Sequence, residues 1–212
     1  MKVVIGAPTF KYLSAEAHGS HMIAAIENAS EGWIAGLVQS YDVFIDDARN
    51  EIVSDALKYR NTVGATHLWF IDDDMILPRG SLSRLARWNV PVVSGLYFNR
   101  GGDPVVYKLD PSCEVQYLPE AQLADAWAKR EDANPLRVAG VGLGCILIQL
   151  DVLNNMLFRF GKCFDTRREK DGTKVGEDVV FCENLRLMNV PLYLDYGLVC
   201  GHAKTVELLG RE

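Results

Sequence analysis

Leu68-Trp69-Phe70-Ile71 is an unbroken apolar run that ends in three consecutive aspartates, Asp72-Asp73-Asp74. The run reads as a buried strand that presents carboxylates together at its end. Adjacent like charges raise each other's pKa unless a counter-charge stands nearby. A divalent cation is the simplest one: Mg²⁺ and Mn²⁺ take oxygen ligands and keep a place for substrate phosphates. In open α/β sheets, ligands sit outside the carboxyl ends of the strands. The competing reading is a turn, because aspartate is common after a strand and can cap the next helix.

The rest of the chain is consistent with such a sheet. Lys2 to Ala7 is a strand stopped at Pro8. Ala15 to Ala29 has helical spacing, with Met22, Ile23, Ile26 and Ala29 on one face. Tyr41 to Ile45 reads as a second short strand. Asp46, Asp47 or both then lead into a helix, Ala48 to Tyr59, with Ile52, Val53, Ala56 and Leu57 aligned. His67 to Ile71 is a strand, Pro78 to Trp88 a helix with Pro near its first turn, and Pro91 to Tyr97 another strand. Strands alternating with helices predict a largely parallel sheet covered on both faces.

Beyond Gly101 the pattern changes. Val105 to Leu109 and Val115 to Leu118 carry strand signals, and Glu120 to Lys129 a helical one. Val138 to Leu150 is apolar and punctuated by glycines, which suggests close backbone approach or a bend before a core strand. Gly140, Gly142 and Gly144 have G-x-G-x-G spacing and precede strand residues, so they do not make a dinucleotide-binding loop. Asp165 to Val175, rich in Arg and Lys, reads as a mobile loop. Val179 to Met188 is helical, and Val190 to Leu194 is a strand. No repeat or linker interrupts the chain, so residues 1–212 are expected to form one domain.

Composition excludes other classes. A chain of 212 residues with 49% hydrophobic and 24% charged residues is typical of a globular protein. No apolar run approaches the roughly 20 residues of a membrane helix. The N-terminus reads at once as a strand and not as a signal peptide, so a cytoplasmic protein is expected. The five cysteines include no CxxC pair, which argues against zinc and for reduced, buried thiols. A net charge of −6 argues against a broad nucleic-acid-binding face.

Four further features bear on chemistry. Arg49 and Asn50, near the start of a predicted helix, either cap it with exposed charge or line a nucleotide pocket, where arginine binds phosphate. Glu177 and Asp178 open the Val179 helix. Acidic residues suit any first turn, but here one of them could act as a general base. His202 is either structural or a nitrogen ligand that completes a carboxylate site. Tyr97 and Arg100 lie at the end of a strand, near the sheet edge expected for Asp72.

Taken in order, Ile5-Gly6-Ala7-Pro8-Thr9, Ala48-Arg49-Asn50, Phe70-Ile71-Asp72-Asp73-Asp74, Gly95-Leu96-Tyr97, Gly142-Leu143-Gly144-Cys145, Gly176-Glu177-Asp178 and His202 resemble a compact GT-A glycosyltransferase. The likeness is to the family 2 type found in bacteria and phages. It spans nearly the whole chain, and implies a Rossmann-like, mixed but mostly parallel sheet flanked by helices. It further implies a nucleotide-sugar donor, UDP-linked as the first expectation, and Mn²⁺ or Mg²⁺. By the same resemblance Asp72 and Asp74 match the D-x-D that meets ribose and metal, with Asp73 between them. His202 matches the late metal-shell histidine. Pro8 and Thr9 match the nucleobase loop, and Arg49 a position that faces the donor. From the residues themselves, Asn50 is expected to line the same donor pocket, and Tyr97 and Arg100 to stand against the donor or the acceptor. Asp178, or alternatively Glu177, matches the base of inverting members.

Beside larger members, the chain is expected to act without their C-terminal extension. The acceptor hydroxyl, of a glycan, a small molecule or modified phage DNA, would meet residues 101–135, residues 165–175 or another subunit. Three rival readings remain. A nucleotidyltransferase would have a Gly-rich basic loop after its first strand, where this chain has Ala7-Pro8-Thr9-Phe10-Lys11-Tyr12. A haloacid-dehalogenase-type phosphatase continues its D-x-D with x-Thr or x-Val, where this chain has Met75-Ile76. A non-catalytic nucleotide-sugar or glycan-binding module would keep Asp72 and Asp74 without needing Glu177 and Asp178.

Overall fold

The predicted alternation of strands and helices is present in the computed structural model, which describes residues 1–9, 15–41, 43–99, 102–109, 115–117 and 134–203. Arg100 and the helix expected over Glu120 to Lys129 lie outside the described residues. The order begins β1 (Val3–Thr9), α1 (Ala15–Ala29), β2 (Ile34–Tyr41), α2 (Ile45–Val63), β3 (His67–Ile71), β4 (Met75–Ile76), α3 (Ser81–Ala86) and β5 (Val92–Leu96). It continues β6 (Val106–Leu109), β7 (Val115–Tyr117), β8 (Leu136–Val138), β9 (Gly140–Val141), β10 (Cys145–Gln149), α4 (Leu150–Phe160), β11 (Arg167–Arg168), β12 (Lys174–Val175), α5 (Glu177–Leu187), β13 (Leu192–Val199) and β14 (Gly201–His202).

The central sheet has seven strands in the order β2-β1-β3-β10-β5-β13-β8. β2, β1, β3, β5 and β13 run in one direction, and β10 and β8 run against them. Alternate residues of the inner strands feed two cores. Val4, Phe70, Ile146 and Ile148 meet Ile52 and Val53 of α2 and Leu153 of α4. Val3, Ile5, Trp69, Ile71 and Leu147 meet Leu82 and Leu85 of α3 and Ala24 of α1. Apolar side chains on both faces are what an unbroken run such as Leu68–Ile71 requires.

Four expectations are corrected. The second strand is Ile34–Tyr41, not Tyr41 to Ile45, and Ile45 instead begins α2. As an edge strand β2 is covered on one side only, with Val38 and Ser40 buried and Leu37 and Tyr41 exposed. Asp46 and Asp47 then fall in the first turn of α2, where carboxylates offset the helix dipole.

The face of α1 is also reversed. Met22, Ile23 and Ile26 are exposed, and Ala17, Ala24 and Asn28 are buried. Small residues let this helix lie close, and His21 Nε2 then sits 2.8 Å from the Met75 carbonyl while the Leu77 N–H donates to Ser20 Oγ at 3.0 Å. α3 is the shorter Ser81–Ala86, begun after Gly80 at φ +71°.

Residues 165–175 are not simply a loop. They contain the β11–β12 hairpin, and Arg167 pairs with both Glu169 and Glu183.

Candidate active site at the carboxyl end of β3

β3 delivers Asp72, Asp73 and Asp74 to the carboxyl edge of the sheet, where the Met75 N–H donates to Asp72 O (3.1 Å) and closes a tight turn. The antiparallel β10 starts at this edge, so residues just before it stand beside the aspartates. The Asp72 N–H donates to Gly144 O at 3.0 Å. Pro8 and Thr9 end the neighbouring β1. Together with Val43, Phe44, Ile45, Ala48 and all three aspartates, they line a cleft of about 300 Å³. Its wall was not legible in advance, because residues 43–45 read as strand. The missed signal is Phe44, a large aromatic 81% exposed just ahead of a helix.

Arg49 is not at a helix N-terminus, since α2 starts at Ile45. It lies on the buried face of α2 and is only 2% exposed, with its guanidinium 5.2 Å from the centre of the Phe70 ring. Nη2 donates to Asp72 Oδ1 at 2.7 Å. Nε stands 3.5 Å from Glu177 Oε1, within ion-pair range but outside hydrogen-bonding geometry. Nε and Nη1 have no hydrogen-bond partner among the described residues. Burial works to lower the Arg49 pKa, but Asp72 and Glu177 overturn that and leave it raised. A protein cation, then, is the counter-charge of Asp72.

Asp74 has a different partner. β14 pairs with β4 and carries His202 to it, with Nε2 2.6 Å from Asp74 Oδ2 and Nδ1 3.1 Å from the Phe98 carbonyl. Backbone contact completes the join, as the Ala203 N–H donates to Asp74 O at 2.7 Å. Asp74 and His202 thus meet across 128 positions of sequence, whereas Asp72 is turned toward Arg49. Among the described residues, no three His, Cys, Asp or Glu side chains stand together as a ready metal-binding group. The donor types still suit Mn²⁺ or Mg²⁺: a carboxylate oxygen and an imidazole nitrogen lie side by side, with Asp72 in the same tight turn as Asp74.

Tyr97 packs behind this pair. Its ring is edge-on to His202, 6.3 Å between centres, and its Oη accepts the Gly144 N–H at 3.3 Å. Burial, with the Asp72 charge adding to it, holds its phenol well above the usual range. The glycine run now has a reason. A Cβ on Gly142 would sit 1.8 Å from Tyr97 Oη.

Glu177 and Asp178 form the first turn of α5, and burial raises both carboxyls above their ordinary values, with Arg49 opposing. Asp178 Oδ1 accepts the Val179 N–H at 2.8 Å. Asn50 takes no part in the cleft: its amide donates to Phe164 O and its oxygen accepts the Cys163 and Phe164 N–H groups. It fastens α2 to the chain after α4. His21, not singled out by sequence, reaches this region from α1. Burial lowers its pKa against the opposing pull of Asp72 and Asp74.

No protein-family model and no curated protein matches the chain. No helix among the described residues is long and apolar enough to cross a membrane. Two solved structures are similar to it. A197 from STIV aligns with TM-score 0.62 and 17% identity, over 96% of this chain and 86% of that one. GalNAc-T7, crystallised with UDP, GalNAc and Mn²⁺, aligns with TM-score 0.58 and 11% identity, over 100% of this chain and 45% of that one. What is shared is the fold, the mixed, mostly parallel sheet flanked by helices of GT-A glycosyltransferases.

Proposed function

We propose that this chain, acting as one domain, is a metal-dependent glycosyltransferase. It moves a sugar from a nucleoside-diphosphate sugar, UDP-linked in the first instance, to an acceptor hydroxyl. The observation that carries the reading is the pairing of Asp74 with His202, while Asp74 and Asp72 line a cleft whose other wall is Pro8, Thr9 and Phe44. The likeness to a fold crystallised with UDP and Mn²⁺ supports it.

Asp74 and His202, with Asp72, would hold Mn²⁺ or Mg²⁺, whose chemistry is to offset charge on the departing diphosphate. Pro8, Thr9 and the exposed Phe44 ring offer a surface for the nucleobase. Arg49, a buried cation next to Asp72 whose Nε and Nη1 have no hydrogen-bond partner among the described residues, adds positive potential where negative charge develops. In the inverting course the acceptor oxygen bonds to the anomeric carbon as the bond from that carbon to the diphosphate oxygen breaks. Asp178 takes the acceptor proton, and the nucleoside diphosphate leaves with the bonding pair. A carboxyl raised by burial is a better proton acceptor than an ordinary aspartate.

The test is a thermal-shift panel of nucleoside diphosphates and their sugars, each with Mn²⁺ and with chelator. A ligand that binds only the folded chain raises Tm by mass action. A Mn²⁺-dependent rise with UDP, absent in Asp74→Asn, is expected. A rise that survives in Asp74→Asn would remove the metal assignment, and no rise with any nucleotide would remove the function.

A further inference from the structure

Arg49 touches carboxylates from two parts of the chain that would serve opposite ends of the reaction. We propose that Glu177 is a positioning residue which acts through Arg49, coupling occupancy of the donor cleft to the placement of α5 and of Asp178. The inference rests on the donor reading above.

The geometry behind it is specific. The Arg49 fork is fixed by α2 and by the Phe70 ring beneath it. A guanidinium holds its N–H donors in one rigid plane, so its partners must come to it. Asp72 has done so at 2.7 Å, and Glu177 stands off at 3.5 Å. Two of the three guanidinium nitrogens are buried without a hydrogen-bond partner among the described residues. Such groups are costly, and that cost favours any small movement that satisfies them. Moving the Glu177 carboxylate inward by about half an ångström would reach ordinary N–H···O distance. Asp178 is the next residue of the same turn and would move with it.

The direction of coupling follows from charge. When a cation and a diphosphate engage Asp72, its hold on Arg49 weakens and Glu177 takes up more of the guanidinium. In the other direction, removing the Glu177 charge leaves Arg49 to grip Asp72 alone, and the donor must compete with that grip. Linkage makes the two effects equal in size. Glu177 therefore supports donor binding from outside the cleft: it is not among the residues that line it.

The experiment is calorimetric titration of UDP with Mn²⁺ into the wild type, Glu177→Gln, Glu177→Asp, Glu183→Gln and Arg49→Lys, with the melting temperature of each recorded. Glu177→Gln is expected to weaken UDP binding about fivefold or more, the low end of typical site-to-site coupling. Glu177→Asp restores most of it, and Glu183→Gln, further along α5 and paired with Arg167 instead, leaves it unchanged. In the Arg49→Lys background, where the two-sided fork is lost, adding Glu177→Gln has no further effect. Equal affinities in wild type and Glu177→Gln would overturn the proposal. So would a loss of affinity that persists undiminished in the Arg49→Lys background. If the wild type binds no UDP at all, the donor reading itself falls, a result distinct from either.

Discussion

Gly142→Ala tests the architecture behind the aspartates with a single methyl group. Gly142 does not have a positive φ, so alanine meets no backbone penalty and the whole cost is steric. The new Cβ would lie 1.8 Å from Tyr97 Oη, 2.7 Å from Tyr97 Cζ and 2.8 Å from Val105 Cγ1. Neither side yields freely. The Gly142 N–H is bonded to Val105 O at 3.2 Å, the Asp72 N–H to Gly144 O at 3.0 Å, and Tyr97 is enclosed by His202 and Met75. Overpacking of this kind costs about 1–3 kcal/mol. A backbone bond given up to relieve it adds about 1 kcal/mol. The expected destabilisation is thus about 2–4 kcal/mol, read from urea unfolding at unchanged m-value. Tyr97→Phe alone loses only the weak Gly144 bond, at about 1 kcal/mol. In the double variant the 1.8 Å clash is gone, so the two costs should sum to at least about 1 kcal/mol more than is measured. A Gly142→Ala cost under about 0.5 kcal/mol, or strict additivity with Tyr97→Phe, would refute the packing argument.

Other perturbations separate structure from site. Asn50→Ala strips three hydrogen bonds from the Cys163–Phe164 backbone and should cost about 2–4 kcal/mol in urea unfolding. UDP affinity of the folded fraction should not change, and a selective loss of that affinity would return Asn50 to the donor cleft. Asp195 is 3% exposed and bonds Arg84 through both oxygens, along with Trp88 Nε1 and the Gly197 N–H. Asp195→Ala should cost about 3–5 kcal/mol, as removing one partner of a buried pair does. A cost under about 1 kcal/mol by the same unfolding measurement would count against it. Burial lowers the pKa of His21 and His67, so around pH 6.5 the unfolded chain binds more protons than the folded one. Their contribution is present above that value and is lost as pH falls through it. Tm should drop between about pH 7.5 and about pH 5.5, less steeply in a His21→Gln/His67→Gln variant. Equal slopes would contradict this account.

What the sequence revealed depended on range. β3 and its aspartates were legible because an unbroken apolar run ending in charge has few other readings. α1 was legible as a helix but not in orientation. Periodicity weighs Met22, Ile23 and Ile26 heavily, while the sheet took the small face of Ala17 and Ala24. The Tyr41 to Ile45 alternation mimicked a strand because local pattern does not say where an edge strand ends and a helix begins. Pro8, Thr9 and the three aspartates do line one cleft, but the partners of Arg49 and Asp74 were not legible. That Arg49 stands between Asp72 and Glu177, or that Gly142 clears a path for Tyr97, depends on strands brought together only by the sheet.

The antiparallel β10 has a consequence for how the chain reaches this fold. β3 and β5 are separated in the sheet by a strand made long after both, since His67 pairs with Gln149 and Val92 with Ile148. Until Cys145–Gln149 arrives, the facing edges of β3 and β5 have no partner, and β6 to β9 must be held out of the gap. Contacts so distant in sequence slow folding, and open apolar strand edges favour association between incomplete chains. Wedging β10 between β3 and β5 should therefore be the slow step of refolding. A deletion within residues 118–133 should speed it, by shortening the stretch of chain that must close before β10 can pair.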